Sequence, residues 1–170
     1  MSILQIKKYG EAVLTEHGAE IKKVTPEIKI LIRNMFETMY NAPGVGLAAN
    51  QVGFALRLCV IDTYTSGKKC PMVFINPKIE KREGVSHAEE GCLSFPGIYR
   101  KIKRAKFVRV RALDENGKVF VVDAQDMLLS RALQHEIDHL NGKVLLDNLP
   151  PLQRQEVKKE IEIRKQENKW

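Results

Sequence analysis

The first regular hydrophobic pattern in the chain predicts a helix near its N-terminus. Between Thr25 and Ala42, apolar residues recur at positions 28, 31, 32, 35, 36 and 39, which share one helical face. Thr25 can cap the first turn, and Pro26 suits the first helical position, where an N–H has no partner within the helix. We therefore predict an N-terminal amphipathic helix.

Stretches rich in β-branched and apolar residues predict strands in the middle of the chain. Residues 56–63 (LRLCVIDT) and 72–80 (MVFINPKIE) each match one strand, and residues 105–124 match two strands around a Glu-Asn-Gly turn. The glycine-rich stretch at 42–54 (APGVGLAANQVGF), which precedes these strands, is predicted to be a loop.

Two more helices are predicted in the last third of the chain. One covers residues 126–142, with Asp126 near its start and Gly142 placed to end it. The other covers residues 151–170, opened by prolines and carrying opposite charges at helical spacing. Because most strands precede these helices, the pattern favours an α+β fold over alternating βαβ units. With 170 residues and no linker or repeat, a single domain over 1–170 is expected.

Composition indicates a globular protein of a reducing compartment. Hydrophobic residues make up 44% and charged residues 29% of the chain, and no apolar run is long enough to cross a bilayer. The N-terminus lacks the pattern of a signal peptide, so a cytoplasmic location is expected, or an organelle if a transit peptide is missing. Three cysteines without framework spacing are expected to be free thiols or metal ligands.

The net charge of +7 is concentrated in the segment Tyr99–Arg111, which has seven basic and no acidic residues. Basic and apolar residues alternate at its end, which is typical of a solvated strand face, but an anionic ribosomal surface is an alternative partner. Residues 147–170 nearly balance, with six basic against five acidic residues. No RNA-binding signature is present, and no sequence-specific nucleic-acid contact is expected.

The stretch LQHEIDHLNG at 133–142 predicts a metal site. On a helix, His135 and His139 lie one turn apart on the same face, close enough to bind one ion. A catalytic site of this kind has three protein ligands and an open position for water. Glu136 follows a ligand directly, so its carboxylate would lie near that position and serve as a general base.

The third ligand is less clear from the residues alone. His17, His87, the acids and the cysteines are all candidates. Cys59 lies in an apolar strand and fits a buried structural role, while Cys70 lies in a lysine-rich loop. Cys92 lies in a polar, turn-like segment after Gly91 and is the best candidate.

Three segments together resemble the peptide deformylase family: GVGLAANQ (44–51), EGCLS (90–94) and QHEIDH (134–139). The resemblance implies removal of the formyl group from the N-terminal methionine of nascent polypeptides. It implies one divalent ion per chain bound by Cys92, His135 and His139, with Fe(II) favoured and zinc, nickel or cobalt as substitutes. The expected fold is α+β, with antiparallel β-sheets packed around a central metal-binding helix, and with N-terminal and C-terminal helices.

The resemblance also implies roles for residues around the metal. The Gln51 side-chain amide and the Leu93 backbone N–H would stabilise the oxyanion, and the Gly46 backbone would hold the peptide as an added strand. The glycines Gly44 and Gly46 would let the Gln51 loop approach the metal.

An apolar pocket for the methionine side chain is expected beside the metal. By resemblance its walls would be Val45, Leu128 and Ala132, and we expect Arg131 to line the rim with its head in water. We expect Glu90 and Arg104 to pair and support the ligands, although a plain surface ion pair is an equal alternative.

Two other functions share some of these features. A zincin-like peptidase would use the same histidines and Glu136, but it would have a histidine or acid as third ligand. A non-catalytic ribosomal protein would use Tyr99–Arg111 or the C-terminal helix, which leaves the three motifs unexplained. Transient ribosome contact through either segment is also compatible with the deformylase prediction.

Overall fold

The computed structural model describes residues 2–64, 67–125 and 127–170. Its helices and antiparallel strands confirm the predicted α+β class. The helices are α1 (Pro26–Asn41), α2 (Met127–Leu140) and α3 (Pro151–Gln166). The strands are β1 (Gly46–Ala48), β2 (Leu58–Ile61), β3 (Met72–Glu83), β4 (Ser86–Cys92), β5 (Phe95–Arg104), β6 (Phe107–Leu113) and β7 (Val119–Ala124).

The strands form two antiparallel sheets. Five of them pair in the order β1-β2-β3-β6-β7, and β4 pairs with β5 in a separate two-stranded sheet. The predicted hairpin is confirmed as β6 and β7, with Gly117 in the turn at a φ of 78°. Because β1 is an edge strand of the larger sheet, one side of its backbone has no partner strand in that sheet.

The larger sheet lies between α1 and α2. In β2, Leu58 and Val60 pack in the same cluster as α1, whereas Cys59 and Ile61 pack in the cluster that contains α2. A strand covered on both faces needs apolar side chains at every position, which explains the continuous apolar run in this segment. Ten of the fourteen residues of α2 are buried, so α2 is the central helix that was predicted.

The C-terminal helix covers the two-stranded sheet. Phe95, Ile98 and Ile102 of β5 pack in one cluster with Val157 and Ile161 of α3. This contact supports the segment after Cys92 from the side of α3.

The helix ends follow the sequence signals. The Thr25 hydroxyl accepts a hydrogen bond from the Ile28 N–H at 3.4 Å, and Pro26 is the first residue of α1. Gly142, at a φ of 69°, follows the end of α2. The predicted place of Asp126 near the start of α2 lies outside the described residues. No helix in the described part of the chain is long and apolar enough to cross a membrane.

Two segments differ from the prediction. The stretch 42–54 is not only a loop, because it contains β1 and a 3-10 turn at Ala49–Val52. Two strands that were not predicted, β4 and β5, flank a turn at Leu93 and Ser94, so Cys92 is the last residue of a strand and directly precedes the turn. Buried Glu90 and Arg104 take inward positions on these strands, so the apolar alternation that signals a strand is interrupted.

Asn76 links the N-terminal segment to β3. Its Oδ1 accepts a hydrogen bond from the Ile21 N–H at 2.9 Å, and its Nδ2 donates to the Ile21 carbonyl, also at 2.9 Å. Its φ of 51° is in the left-handed region, which asparagine tolerates better than alanine.

We expect Asn76→Ala to lower the free energy of unfolding by about 2–4 kcal/mol, measured by urea denaturation. The loss combines two hydrogen bonds with the strain of a left-handed alanine. The control is Asn76→Gly, which loses the same bonds without the strain and should be about 1 kcal/mol more stable than Asn76→Ala. An Asn76→Ala variant as stable as the parent would refute this role.

Candidate metal centre and substrate cavity

A helix and a strand bring three possible metal ligands together. His135 and His139 of α2 have ring centroids 5.0 Å apart. Cys92, the last residue of β4, lies beside them, with its Sγ 3.3 Å from Nε2 of His139. One donor atom from each residue lies within 4.8 Å of the other two.

This donor set fits a divalent transition metal. Tetrahedral coordination with bonds of about 2.0–2.3 Å places neighbouring donor atoms about 3.5 Å apart, close to the 3.3 Å between Sγ of Cys92 and Nε2 of His139. One thiolate and two imidazoles suit iron, cobalt, nickel or zinc, and leave a fourth position for water. The structure places Cys59 in the apolar core and leaves Cys70 exposed.

Glu90 supports the site from the side away from the donor atoms. Its Oε2 lies 3.1 Å from Nδ1 of His135, which turns the other ring nitrogen toward Cys92. Arg104 donates to both oxygens of Glu90, from Nε at 3.0 Å and from Nη2 at 3.1 Å. Both side chains of this predicted pair are buried, so it is not a plain surface ion pair. Burial alone would raise the pKa of Glu90, but the hydrogen bonds from His135 and Arg104 outweigh it and lower the pKa to about 2.

Glu136 is packed against the backbone of β1. A Cβ added to Gly46 would lie 2.9 Å from Cδ of Glu136 and would overlap its Oε1. The other oxygen, Oε2, is buried and has no hydrogen-bond partner among the described residues. Burial raises the pKa of Glu136 to about 7. The absence of a side chain at Gly46 therefore makes room for this carboxylate.

The Gln51 side chain is held in one orientation. Its Oε1 accepts a hydrogen bond from the Ala48 N–H at 2.9 Å. Its Nε2 consequently faces the donor set, 3.4 Å from Sγ of Cys92 and 3.3 Å from Oγ of Ser94. Gly44 leaves room for a residue of the site, because a Cβ added there would lie 2.9 Å from Cδ1 of Leu93.

A cavity of about 550 Å³ opens beside the donor atoms. The candidate substrate-binding and catalytic residues that line it are Val45, Gly46, Gln51, Leu93, Leu128, Ala132 and Glu136, together with Cys92 and His135. Val45 and Leu128 are partly exposed, whereas Ala132 is buried, so the apolar wall runs from the mouth of the cavity inward.

The prediction that the Arg131 guanidinium lies in water is wrong. Arg131 lines the cavity, but its side chain is only 8% exposed. Its Nη1 donates to Oε1 of Glu90 at 2.6 Å and to the Ile102 carbonyl at 3.0 Å. The buried carboxylate of Glu90 draws the charged head inward, away from the rim.

Tyr99, for which the sequence predicted no role, also lines the cavity. Its ring lies against Gly91, where an added Cβ would come within 2.8 Å of Cδ1 of Tyr99. The two residues are directly opposite in the β4–β5 pair. Had the β4–β5 hairpin been predicted from the sequence, its register would have placed Tyr99 opposite Gly91.

Known proteins match this chain over most of its length. The model of the polypeptide deformylase family matches residues 3–155. A peptide deformylase of Thermodesulfovibrio yellowstonii is 47% identical over 97% of this chain and 100% of its own length. One of Endomicrobium trichonymphae is 45% identical over the full length of both chains.

Solved structures of peptide deformylases are also similar to this chain. A peptide deformylase from Legionella pneumophila has a TM-score of 0.91 and 41% identity, with 98% of each chain covered. One from Ehrlichia chaffeensis, in complex with actinonin, has a TM-score of 0.89 and 38% identity, covering 98% of this chain and 99% of that one. The chain belongs to the polypeptide deformylase family, which confirms the resemblance found in the three motifs and decides against the peptidase and ribosomal-protein alternatives.

The close contact between Gly46 and Glu136 generates a prediction. Gly46→Ala should displace the Glu136 carboxylate, because the added methyl group overlaps it. We expect normal metal content but a loss of about 10²-fold in kcat, as for a catalytic group misplaced by about 1 Å. Steady-state kinetics and metal analysis on the same sample test this, and a kcat within about threefold of the parent would show that the contact is unimportant.

Proposed function

We propose that this enzyme removes the formyl group from the N-terminal methionine of newly made polypeptides and releases formate. The observation that carries the proposal is the convergence of the thiol and imidazole donors, Glu136 and the Gln51 amide on one cavity. Family membership supports the same reaction. We also propose that residues 1–170 form a single catalytic domain, because α3 shares a core with β5.

We propose that Cys92, His135 and His139 bind one divalent ion per chain. A bound ion would supply Lewis acidity and would lower the pKa of its water to about 7. Fe(II) is the proposed ion on the strength of the family resemblance, with zinc, nickel or cobalt as substitutes. The general affinity order would by itself favour nickel or zinc over iron.

Glu136 is proposed to carry the proton. Its carboxylate lies directly after a proposed ligand on α2 and lines the cavity. The oxygen that has no partner among the described residues is available to take a proton from the attacking water. Returning this proton to the departing amine completes the reaction, and such transfer contributes about 10²–10⁴ in rate.

Gln51 and Leu93 are proposed to stabilise the oxyanion of the tetrahedral intermediate. The Gln51 amide is fixed in advance by the bond from the Ala48 N–H, which points its N–H groups toward the donor set. Leu93 follows Cys92 directly and lines the same cavity. Its backbone N–H would provide a second neutral donor.

The substrate peptide is proposed to lie along β1. As an edge strand of its sheet, β1 can accept an extended peptide through backbone hydrogen bonds at Gly46. The methionine side chain would then lie on the apolar wall formed by Val45, Leu128 and Ala132.

Nascent chains are the proposed partners, and the cytoplasm is the proposed location, with an organelle as the alternative. Transient ribosome contact through Tyr99–Arg111 or α3 stays a prediction. In the first segment Arg100 pairs with Glu160, and the other three arginines also form ion pairs within the chain. The lysines of that segment would therefore carry most of such a contact.

The ligand set is tested by removing the thiol. Cys92→Ala should lose most of the bound metal, because the two imidazoles alone would fill only two of the four tetrahedral positions. Cys59→Ala and Cys70→Ala are the controls and should keep one ion per chain, measured by elemental analysis. Retention of the full metal content by Cys92→Ala would refute the assignment.

The reaction is tested with formyl-Met-Ala, acetyl-Met-Ala and an unblocked longer peptide. We expect formate from the first substrate, and acetate release slower by at least about 10³-fold. The acetyl methyl group crowds the site at a cost of about 10–200-fold, and displacement of the attacked carbon adds about 10²-fold. Cleavage inside the longer peptide without formate release would contradict the proposal.

Glu136→Ala is the matched control for this assay. It should keep its metal and still lose at least about 10² in kcat, because the proton carrier is gone. Near-normal turnover by this variant would remove Glu136 from the mechanism, whatever the outcome with the three substrates.

A further inference from the structure

The Glu90 carboxylate has two guanidinium partners on two different elements. Its Oε1 accepts from Nε of Arg104 at 3.0 Å and from Nη1 of Arg131 at 2.6 Å, while its Oε2 faces Nδ1 of His135. All four side chains are at most 10% exposed. Removing a partner from such a buried carboxylate is costly, because water cannot readily take the partner's place.

Arg131 joins α2 to both strands of the two-stranded sheet. Besides its bond to Glu90 of β4, its Nη1 donates to the Ile102 carbonyl of β5 at 3.0 Å. Its Nη2 donates to Oγ of Ser86, at the start of β4, at 3.1 Å. The planar guanidinium therefore bonds to both strands of the hairpin that carries Cys92 and ties this hairpin to the helix that carries the histidines.

Arg104 and Arg131 differ in what they contact besides Glu90. Arg104 extends to Asp138, whose carboxylate is 2.5 Å from its Nη1. Arg131 instead lines the substrate cavity next to Ala132, four residues before His135 on the same helical face. Arg131 is thus in contact with both the methionine pocket and the partner of a proposed ligand.

Charge balance shows why one arginine is not enough. Glu90 and Asp138 bring two negative charges to this cluster, and Arg104 and Arg131 bring two positive charges. Without Arg131, Arg104 alone would be shared between two carboxylates. Glu90 would then lose its shortest hydrogen bond, and α2 would lose the two Arg131 bonds that tie it to Ile102 of β5 and Ser86 of β4.

We propose that Arg131 is a positioning residue for the metal centre: it holds Glu90 so that Glu90 orients His135, and it does so from the wall of the methionine pocket. This inference rests on the proposed function. Its consequence is that a change at this pocket wall alters metal binding and kcat, and not only the affinity for the methionine side chain.

The test compares Arg131→Met with Leu128→Ala. Arg131→Met keeps an unbranched apolar stem but loses every donor, and should weaken zinc binding by about 10–100-fold in chelator competition and lower kcat by a similar factor. The absorption spectrum of the cobalt-loaded protein should also change. Leu128→Ala alters the same wall but keeps both arginine partners of Glu90, and should raise KM for formyl-Met-Ala while zinc affinity stays that of the parent.

An effect of Arg131→Met on KM alone would contradict the inference. If Arg131→Met binds zinc as tightly as the parent, gives the same cobalt spectrum and changes only KM, Arg131 is a pocket wall and the inference is wrong. Zinc affinity is measured without substrate, so this result is separate from a failure of the proposed function, which would appear as absence of formate release by the parent.

Arg131→Lys keeps the test decisive should Arg131→Met fail to fold. Lysine retains the charge but cannot make the planar set of bonds to Glu90, Ile102 and Ser86. We expect zinc affinity between those of the parent and Arg131→Met, at least about threefold below the parent, since lysine loses part of the hydrogen-bond set that holds Glu90. Parent-like zinc affinity in a folded Arg131→Lys would overturn the inference.

Discussion

The buried carboxylate of Glu90 is the contact on which the arrangement of the site depends. It belongs to β4, two residues before Cys92, and it lies against His135 of α2. A lone carboxylate in this position would be strongly disfavoured, because burial opposes its charge. Arg104 and Arg131 both pair with it in the interior. Burial would raise the pKa of Glu90, but the hydrogen bonds from His135 and Arg104 outweigh this effect and lower the pKa to about 2. The same carboxylate therefore sets the distance between the hairpin and the helix, and with it the spacing of the donor atoms.

The three site segments are far apart in the chain, and the fold brings each one in by a different element. The edge strand β1 and the 3-10 turn after it supply Gly46 and Gln51, the hairpin β4–β5 supplies Cys92, and α2 supplies the histidines. Since α2 is buried against the five-stranded sheet, it serves as the fixed part. The contact of Glu136 with the Gly46 backbone and the contact of Glu90 with His135 then align the other two segments with it.

Much of the fold and of the site could be predicted from sequence, because several of their features depend on residues that are close together in the chain. The histidine spacing requires a helix, Thr25 and Pro26 mark the start of α1, and the continuous apolar run in β2 marks a strand buried on both faces. The β4–β5 hairpin was missed because its inward positions include charged residues. The position of the Arg131 guanidinium was predicted wrongly because its partner is distant in the chain. Local sequence does not show that the Glu90 carboxylate, 41 residues away, is buried beside it.

The affinity of Glu90→Gln for zinc, measured by chelator competition, tests the central claim most directly. Glutamine keeps the shape of the side chain but removes the charge that Arg104 and Arg131 neutralise. It also has one acceptor oxygen instead of two, so it cannot face both His135 and Arg131 with an acceptor. The account predicts zinc binding about 10–100-fold weaker than that of the parent, although Cys92, His135 and His139 are all present. Zinc binding equal to that of the parent would contradict it, because the ligands would then be held in place without the buried carboxylate.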